Sequence, residues 1–230
     1  RLLEIIRHYK KKKIKFYQAS SSEMFGKSKP PQNEKTLFQP RSVYAISKVF
    51  AYHSVIHYRD AYGLYACNGI LFNHESPRRG VNFVTKKIVQ GLVRIKQGKQ
   101  KVLTLGNLYS RRDWGHANDY VESMWKILQQ KKANDFVVAT KTSNSVKDFI
   151  NICAKKLNIK LIWKNKGLKE IGINKLTNKI IIKVDQKYFR ETEVDNLIGD
   201  FSKAKKMLKW KPKYSFDKLI DDMIYDELND

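Results

Sequence analysis

Apolar residues recur along the chain with two alternating spacings, which predict helices and strands in turn. Residues 42–62 and 82–97 have the spacing of amphipathic helices, and each stretch is followed by a glycine, Gly63 or Gly98. Short apolar runs that are typical of buried strands lie between such stretches. The predicted helices are 2–13, 42–62, 82–97, 118–130, 145–157, 200–209 and 215–228, and the predicted strands are 14–19, 64–71, 101–106, 135–140, 159–163 and 179–184. This alternation predicts an α/β protein with a largely parallel sheet, and a Lys- and Asn-rich loop over 164–178.

Polar residues are concentrated in three segments that directly follow predicted strands. These segments are 20–26, 72–80 and 106–113. Ligands of parallel α/β sheets bind at the carboxyl ends of the strands. We therefore expect the functional residues in these three loops.

The 230 residues carry a formal net charge of +24, from 46 basic and 22 acidic side chains. Such a charge attracts polyanions. However, 36 of the basic residues are Lys and only 10 are Arg, and they are spread along the whole chain. Nucleic-acid readers rely more on Arg, which makes bidentate contacts. The charge therefore favours a solvated Lys-rich surface, and we expect no specific nucleic-acid partner.

The two cysteines, Cys67 and Cys153, have no metal-binding spacing and predict a reducing, cytoplasmic environment without a metal site. No apolar run approaches the roughly 20 residues that a membrane span needs, so we expect no membrane partner. A disulfide scaffold, a collagen and a coiled coil are excluded by the cysteine count and by the absence of the matching repeats.

A tyrosine four residues before a lysine is the first candidate for chemistry. Tyr44 and Lys48 share one face of the predicted helix 42–62. An ammonium group beside a phenol favours the phenolate, which can take a proton from a sugar hydroxyl. About two such pairs are expected by chance from this composition, and three are present, the others being Tyr9/Lys13 and Tyr214/Lys218. Only Tyr44 follows a predicted strand and a Ser-rich loop.

That loop, QASSSEMFG, offers a hydroxyl and a carboxylate at the end of a strand. Ser21 can donate a hydrogen bond to a substrate oxygen, and Glu23 can act as a general base or acid. Taken alone, a Ser-x-Glu sequence is more often a turn or a helix cap. Its place beside the Tyr44 helix favours a catalytic site.

QASSSEMFG followed by PRSVYAISK resembles the extended short-chain dehydrogenase/reductase superfamily. The longer runs YACNGILFNHESPRRG, LGNLYSRRDWGHANDYV and YFRETEVDNLIGD are similar to the GDP-mannose 4,6-dehydratase family in particular. The resemblance implies a Rossmann-like doubly wound parallel sheet, of which this chain holds the C-terminal part, and a smaller α/β substrate-binding region. It implies conversion of GDP-mannose to GDP-4-keto-6-deoxy-mannose, a hydro-lyase reaction of GDP-fucose biosynthesis with NADP as a transient hydride carrier. A homo-oligomer, a tetramer by family resemblance, is also implied.

The resemblance assigns roles position by position. It implies that Tyr44 takes the C4 hydroxyl proton, that Glu23 removes the C5 proton and helps the C6 hydroxyl leave, and that Ser21 holds the C4 oxygen. Lys48 would tune Tyr44 and bind the cofactor ribose. The remaining implied NADP contacts are His74 and Arg79. The implied GDP-sugar contacts are Asn73, Lys87, Leu105, Gly106, Asn107, Arg112, Arg190 and Glu193.

Two regions are expected from the resemblance. Residues 1–72 and 115–140 would be the remaining part of the NADP-binding domain, and residues 73–114 and 141–230 the substrate-binding region. The family begins with a Gly-rich strand–helix turn for the cofactor pyrophosphate. This sequence contains no G-x-G-x-x-G. We therefore expect further natural sequence upstream.

Three other functional hypotheses stay open at this point. An epimerase or reductase of the same superfamily need not remove a C5 proton, so Glu23 argues against that class. A polyanion-binding module would gather its lysines on one face. The third hypothesis is that the chain is an inactive fragment of the enzyme.

Overall fold

The computed structural model describes residues 1–9, 14–189, 194 and 196–229. Seven helices and eleven strands follow one another within these ranges. In chain order they are α1 (Leu2–His8), β1 (Phe16–Ser21), α2 (Val43–Tyr62), β2 (Ala66–Leu71), β3 (Asn73–Glu75), α3 (Val84–Lys96), β4 (Leu103–Leu105), β5 (Arg111–Arg112), β6 (Trp114–His116), α4 (Ala117–Leu128), β7 (Phe136–Val138), β8 (Asn144–Ser145), α5 (Val146–Lys156), β9 (Leu161–Lys164), β10 (Ile171–Asn174), β11 (Lys179–Val184), α6 (Ser202–Leu208) and α7 (Phe216–Asn229).

The chain divides into two compact units. The first comprises Arg1–His74, Asp113–Ser143 and Asn196–Lys213, and the second comprises Glu75–Arg112, Asn144–Asp195 and Tyr214–Asp230. Residues 196–213 were assigned to the substrate region, whereas the structure places them in the first unit, where α6 packs beside β7. The roles assigned to the two regions stay predictions.

A three-stranded parallel sheet forms the centre of the first unit, in the order β1-β2-β7. Strand β1 pairs with β2 in parallel from Phe16↔Ala66 to Ser21↔Leu71, and β2 pairs with β7 in parallel. All six residues of β2 are buried. A strand buried on both faces carries a continuous apolar run, which explains why residues 64–71 were predictable.

Helices cover both faces of this sheet. Cys67 and Leu71 of β2 pack in a core cluster with Tyr120 and Ile127 of α4. Asn68 points to the opposite face, because successive side chains of a strand alternate, and there its amide donates to the carbonyl of Tyr52 in α2. Helices on both faces of a parallel sheet confirm the predicted doubly wound architecture.

The second unit contains a four-stranded mixed sheet in the order β4-β11-β10-β9. Only β4 and β11 are parallel, whereas β9, β10 and β11 form an antiparallel meander. The parallel sheet predicted from the sequence is the one in the first unit, and the sheet of this second α/β unit is mostly antiparallel. The predicted loop 164–178 contains β10. This strand has only four residues, IGIN, and polar residues flank it, so the sequence alone does not mark it as a strand. Short turns connect these strands, and short turns permit only antiparallel neighbours.

Helices α3, α5 and α7 pack together in the second unit. Phe149 of α5 meets Phe216 of α7 edge-on, with ring centroids 5.6 Å apart. Lys86 of α3 is buried and pairs with Glu227 of α7 at 2.9 Å. A buried charge requires such a partner, so Lys86 joins two helices.

Both cysteines are free and buried. Burial raises the pKa of Cys67, and it raises the pKa of Cys153 to about 12. Thiols of this kind are inert structural residues. Among the described helices, none combines the length and the apolar character that crossing a membrane requires.

Candidate active site

Ser21 and Glu23 lie where β1 ends. Ser21 is the last residue of the strand, and a single 3₁₀ turn, Ser22–Met24, follows it. The Ser21 hydroxyl accepts a hydrogen bond from the backbone N–H of Glu23 at 3.2 Å. The turn therefore fixes the spacing between the hydroxyl and the carboxylate, as a helix cap does.

Tyr44 stands in the first turn of α2. The helix begins after Ser42, whose hydroxyl accepts the N–H of Ala45 at 3.1 Å. It ends at Gly63, which has a left-handed φ of 64°. Tyr44 is 54% exposed, so its phenol is accessible to a ligand.

Lys48 connects the helix to the strand. Its ammonium nitrogen donates to the carbonyl of Ala19 at 2.8 Å, and it lies 5.6 Å from the centroid of the Tyr44 ring. Ala19 precedes Ser21 by two residues on β1. The structure therefore brings the Tyr44/Lys48 helix and the Ser21 loop together within the first unit.

Neither of the other two Tyr/Lys pairs can be described as a pair on one helix. Tyr9 follows the end of α1, and Lys13 lies outside the described residues. Tyr214 precedes the start of α7. Within the described ranges, Tyr44/Lys48 is thus the Y-x-x-x-K pair that shares one helix.

Two further predicted contacts, Asn73 and His74, belong to β3 in the first unit. The side-chain carbonyl oxygen of Asn73 is buried and has no hydrogen-bond partner. The His74 ring stacks on Tyr120 with centroids 4.8 Å apart, and its Nδ1 lies 2.9 Å from the carbonyl oxygen of Phe72. A buried polar atom without a partner is costly, so Asn73 is suited to an external donor.

Arg79 and Lys87 belong to the second unit. The Arg79 Nε lies 3.0 Å from a carboxylate oxygen of Glu75, and its guanidinium stacks over Phe83 at 3.5 Å from the ring centroid. The Lys87 ammonium lies 3.8 Å from the centroid of the Tyr188 ring. Both cations are held by neighbours, which reduces the entropy that they lose on binding an anion.

The remaining predicted GDP-sugar contacts in the described part of the second unit follow β4 or lie on β5. Leu105 ends β4 and is buried. A Cβ at Gly106 would lie 2.4 Å from the carbonyl oxygen of Tyr188, so this position requires glycine. The Asn107 side chain accepts the N–H of Tyr109 at 2.9 Å. Arg112 donates to the carbonyl of Val194 at 2.6 Å. Arg190 and Glu193 lie outside the described residues.

Sequence reasoning missed two buried carboxylates, Asp113 and Glu170. Asp113 accepts hydrogen bonds from Thr140, Lys141 and Gly199, and burial raises its pKa to about 6 although these bonds oppose the shift. Glu170 is 1% exposed. No motif marks either residue, because their partners come from distant parts of the sequence.

The described residues contain no group of three or more His, Cys, Asp and Glu that could hold a metal ion. A nicotinamide cofactor fits the first unit better. Lys48 uses one of its three donors on Ala19, which leaves donors for ribose hydroxyls. The Tyr44 residue is 54% exposed and can contact a ligand.

The model of the family described as GDP-mannose 4,6 dehydratase matches residues 1–223. The chain belongs to this family. It is 51% identical to the GDP-mannose 4,6 dehydratase of Dictyostelium discoideum over 97% of its own length and 64% of that protein. It is 53% identical to GDP-mannose 4,6 dehydratase 1 of Arabidopsis thaliana over 99% of its length and 59% of that protein. The chain therefore spans about 60% of the length of these two family members.

Solved structures show the same fold. The dTDP-glucose 4,6-dehydratase of Bacillus anthracis, solved with NAD, superimposes with a TM-score of 0.79 at 20% identity. The superposition covers all of this chain and 66% of the Bacillus chain. The RMD protein of Pseudomonas aeruginosa, solved with NADPH, gives a TM-score of 0.80 at 20% identity. That superposition covers 94% of this chain and 67% of the Pseudomonas chain. These likenesses support a Rossmann-type fold for this member of the family.

Proposed function

We propose that the protein acts in the dehydration of GDP-mannose to GDP-4-keto-6-deoxy-mannose, with NADP as the redox cofactor. The observation that supports the proposal is the hydrogen bond from Lys48 to Ala19, which ties the helix of Tyr44 and Lys48 to the strand that ends at Ser21, in a chain of the GDP-mannose 4,6-dehydratase family. The free, buried cysteines support the reducing, cytoplasmic environment that this pathway would share.

Each residue of this set has a defined role in the proposed reaction. Tyr44 takes the proton of the C4 hydroxyl, and Ser21 donates a hydrogen bond to the same oxygen. A carbonyl at C4 acidifies the proton on C5, which Glu23 removes before it protonates the departing C6 hydroxyl as water. Lys48 keeps positive charge beside Tyr44 and binds a ribose hydroxyl. NADP, when bound, supplies the hydride acceptor and donor.

The second unit supplies groups that suit the nucleotide. We assign Arg79 to the cofactor, and Lys87 and Arg112 to the GDP-sugar, because guanidinium and ammonium groups pair with phosphate oxygens. By resemblance we assign Asn73, Leu105, Gly106 and Asn107 to the GDP-sugar as well. Arg190 and Glu193 complete the proposed set by resemblance.

NMR spectroscopy in deuterated water tests this function. GDP-mannose and NADP are added to the chain, and in parallel to a chimaera in which the chain replaces its matching segment in the Dictyostelium relative. We expect the chimaera to form a 4-keto-6-deoxy sugar with deuterium at C5. A C4 epimer or a reduced sugar would indicate another reaction of the superfamily. Unchanged GDP-mannose in a folded chimaera that binds NADP would refute the proposal.

We also propose a homo-oligomer, built through the apolar surface of α2. Val43, Ile46 and Phe50 are 84%, 55% and 77% exposed, and they are spaced so that they lie on one side of the helix. Exposed apolar patches of this kind mark interaction surfaces. Sedimentation equilibrium should show the parent chain associated and a Phe50→Lys variant dissociated. A monomeric parent chain would contradict this assignment.

A further inference from the structure

The loop between β3 and α3, residues 76–83, is closed at its base by two buried side chains. Glu75 ends β3 and is 2% exposed, and its Oε2 accepts the hydroxyl of Thr85 in the first turn of α3 at 2.6 Å. Within the loop, the N–H of Arg79 donates to the carbonyl of Ser76 at 3.0 Å, which is a turn. The loop therefore has a defined backbone where it carries Arg79.

Glu75 also contacts the Arg79 side chain from below the loop. The Nε of Arg79 lies 3.0 Å from the same Oε2 of Glu75, and this nitrogen is buried. Phe83 lies against the plane of the guanidinium, at 3.5 Å from the ring centroid to the guanidinium carbon. The protein thus occupies one edge and one face of this group.

The outer edge of the guanidinium consists of Nη1 and Nη2. The Arg79 side chain is 24% exposed although its Nε is buried. In the part of the chain that the structure describes, no hydrogen bond or ion pair engages either Nη nitrogen. Such an edge presents parallel N–H donors that match two oxygens of a phosphate.

Glu75 does not increase the attraction of this edge for an anion. Burial raises the pKa of Glu75, and the charge of Arg79 and the Thr85 hydrogen bond oppose that rise. An ionised carboxylate so deeply buried needs the cation beside it. Its negative charge reduces the attraction of Arg79 for a phosphate, so the advantage that Glu75 offers is a fixed position of the guanidinium.

We propose that Glu75 is a positioning residue of the cofactor site, which holds Arg79 by its Nε edge so that Nη1 and Nη2 are presented to a phosphate group of NADP. This inference rests on the proposed function, which assigns Arg79 to the cofactor. A long side chain that is ordered beforehand loses less entropy when it binds. Thr85 contributes by holding the carboxylate of Glu75 in place.

Calorimetric titration of the chimaera with NADP tests the proposal without turnover. Glu75→Gln should weaken NADP binding about fivefold, the cost of ordering one long side chain. A purely electrostatic effect has the opposite sign, because the substitution removes a negative charge near the phosphate. Arg79→Met should weaken binding at least about tenfold, the loss of a hydrogen bond to a charged group. The double variant should bind within about twofold of Arg79→Met, because Glu75 acts through Arg79.

Glu227→Gln is the matched control. Glu227 belongs to the same unit, its side chain is 11% exposed, and it pairs with the buried Lys86 at 2.9 Å. The substitution therefore also removes a carboxylate from a buried ion pair and should lower the free energy of unfolding. It should keep the dissociation constant of NADP within about twofold of the parent value, because Glu227 does not contact Arg79.

Hydrogen exchange of arginine Nε–H groups tests the position of Arg79 in the 230-residue chain itself. In a chain labelled with ¹⁵N-arginine, the signal of Arg79 is identified by its loss in Arg79→Met. Its Nε–H should exchange at least about tenfold more slowly than that of Arg78, which is exposed in the same loop. Glu75→Gln should remove most of this difference. The comparison of the two arginines in the parent chain does not depend on a variant folding.

Equal exchange of Arg78 and Arg79, unchanged or tighter NADP binding in a folded Glu75→Gln variant, additive losses in the double variant, or a folded chimaera that binds no NADP would each overturn the inference. Formation of the 4-keto-6-deoxy sugar with NADP binding that is insensitive to Glu75→Gln would refute this inference alone. Coupled effects of Glu75 and Arg79 on NADP binding, together with unchanged GDP-mannose, would refute the proposed reaction and leave this inference standing.

Discussion

Replacing Tyr44 by Phe should lower kcat for GDP-mannose dehydration about a thousandfold, within the range measured for loss of a general base. The substitution removes one oxygen and keeps the ring that lies 5.6 Å from the Lys48 ammonium. The helix should form as before, because its cap is Ser42 and Tyr44 is 54% exposed. Rate and stability are therefore expected to separate, which a structural role for Tyr44 would not allow.

The measurement is kcat and KM in the chimaera, beside a thermal unfolding curve. Tyr214→Phe is the matched control, since Tyr214 also precedes a lysine by four residues but lies before the start of α7. This control should keep the parent rate. A Tyr44→Phe variant that retains more than about a tenth of the parent kcat would remove Tyr44 as the proton acceptor.

Local chemistry explains which parts of the fold were predictable. Helix α2 was predicted within one residue because Ser42 and Gly63 mark its two ends. Strand β11 was predicted with its observed bounds from the apolar run KIIIKV. Strand β10 was missed, because it takes its stability from pairing with β9 and β11 on either side. A strand that depends on its neighbours has a weak signal of its own.

The residues of the candidate site also differ in how far local sequence indicates them. Ser21, Glu23, Tyr44 and Lys48 could be proposed because two short segments carry them and a sheet rule places such segments at one edge. The bond between Lys48 and Ala19, which the rule did not specify, connects helix α2 to strand β1. Glu170 has no local pattern, because its partners Lys147 and Tyr109 are 23 and 61 residues away. Only the folded chain reveals such a residue.

Asp135 is a structural residue that sequence reasoning could not identify either, and its replacement by Ala should cost about 3–5 kcal/mol of unfolding free energy. Both carboxylate oxygens accept from Arg59, at 2.9 and 2.8 Å. The backbone N–H and the side-chain amide of Asn68 also donate to Asp135, each at 2.9 Å. Removal of the carboxylate leaves a guanidinium that is only 18% exposed without its partner, together with two buried donors.

Urea unfolding followed by circular dichroism measures this loss, and two comparisons assign its cause. Asp60 also lies near Arg59, at 3.7 Å, but its side chain is 69% exposed, so Asp60→Ala should change the unfolding free energy by less than about 0.5 kcal/mol. The double variant Arg59→Met, Asp135→Leu removes both charges, and it should recover much of the loss because no unpaired charge stays buried. Equal losses in the Asp60 and Asp135 variants would show that the buried pair does not hold α2 against the sheet. Since α2 also carries Tyr44 and Lys48, a confirmed loss would identify the Arg59–Asp135 pair as the anchor of the helix that presents the proposed catalytic residues.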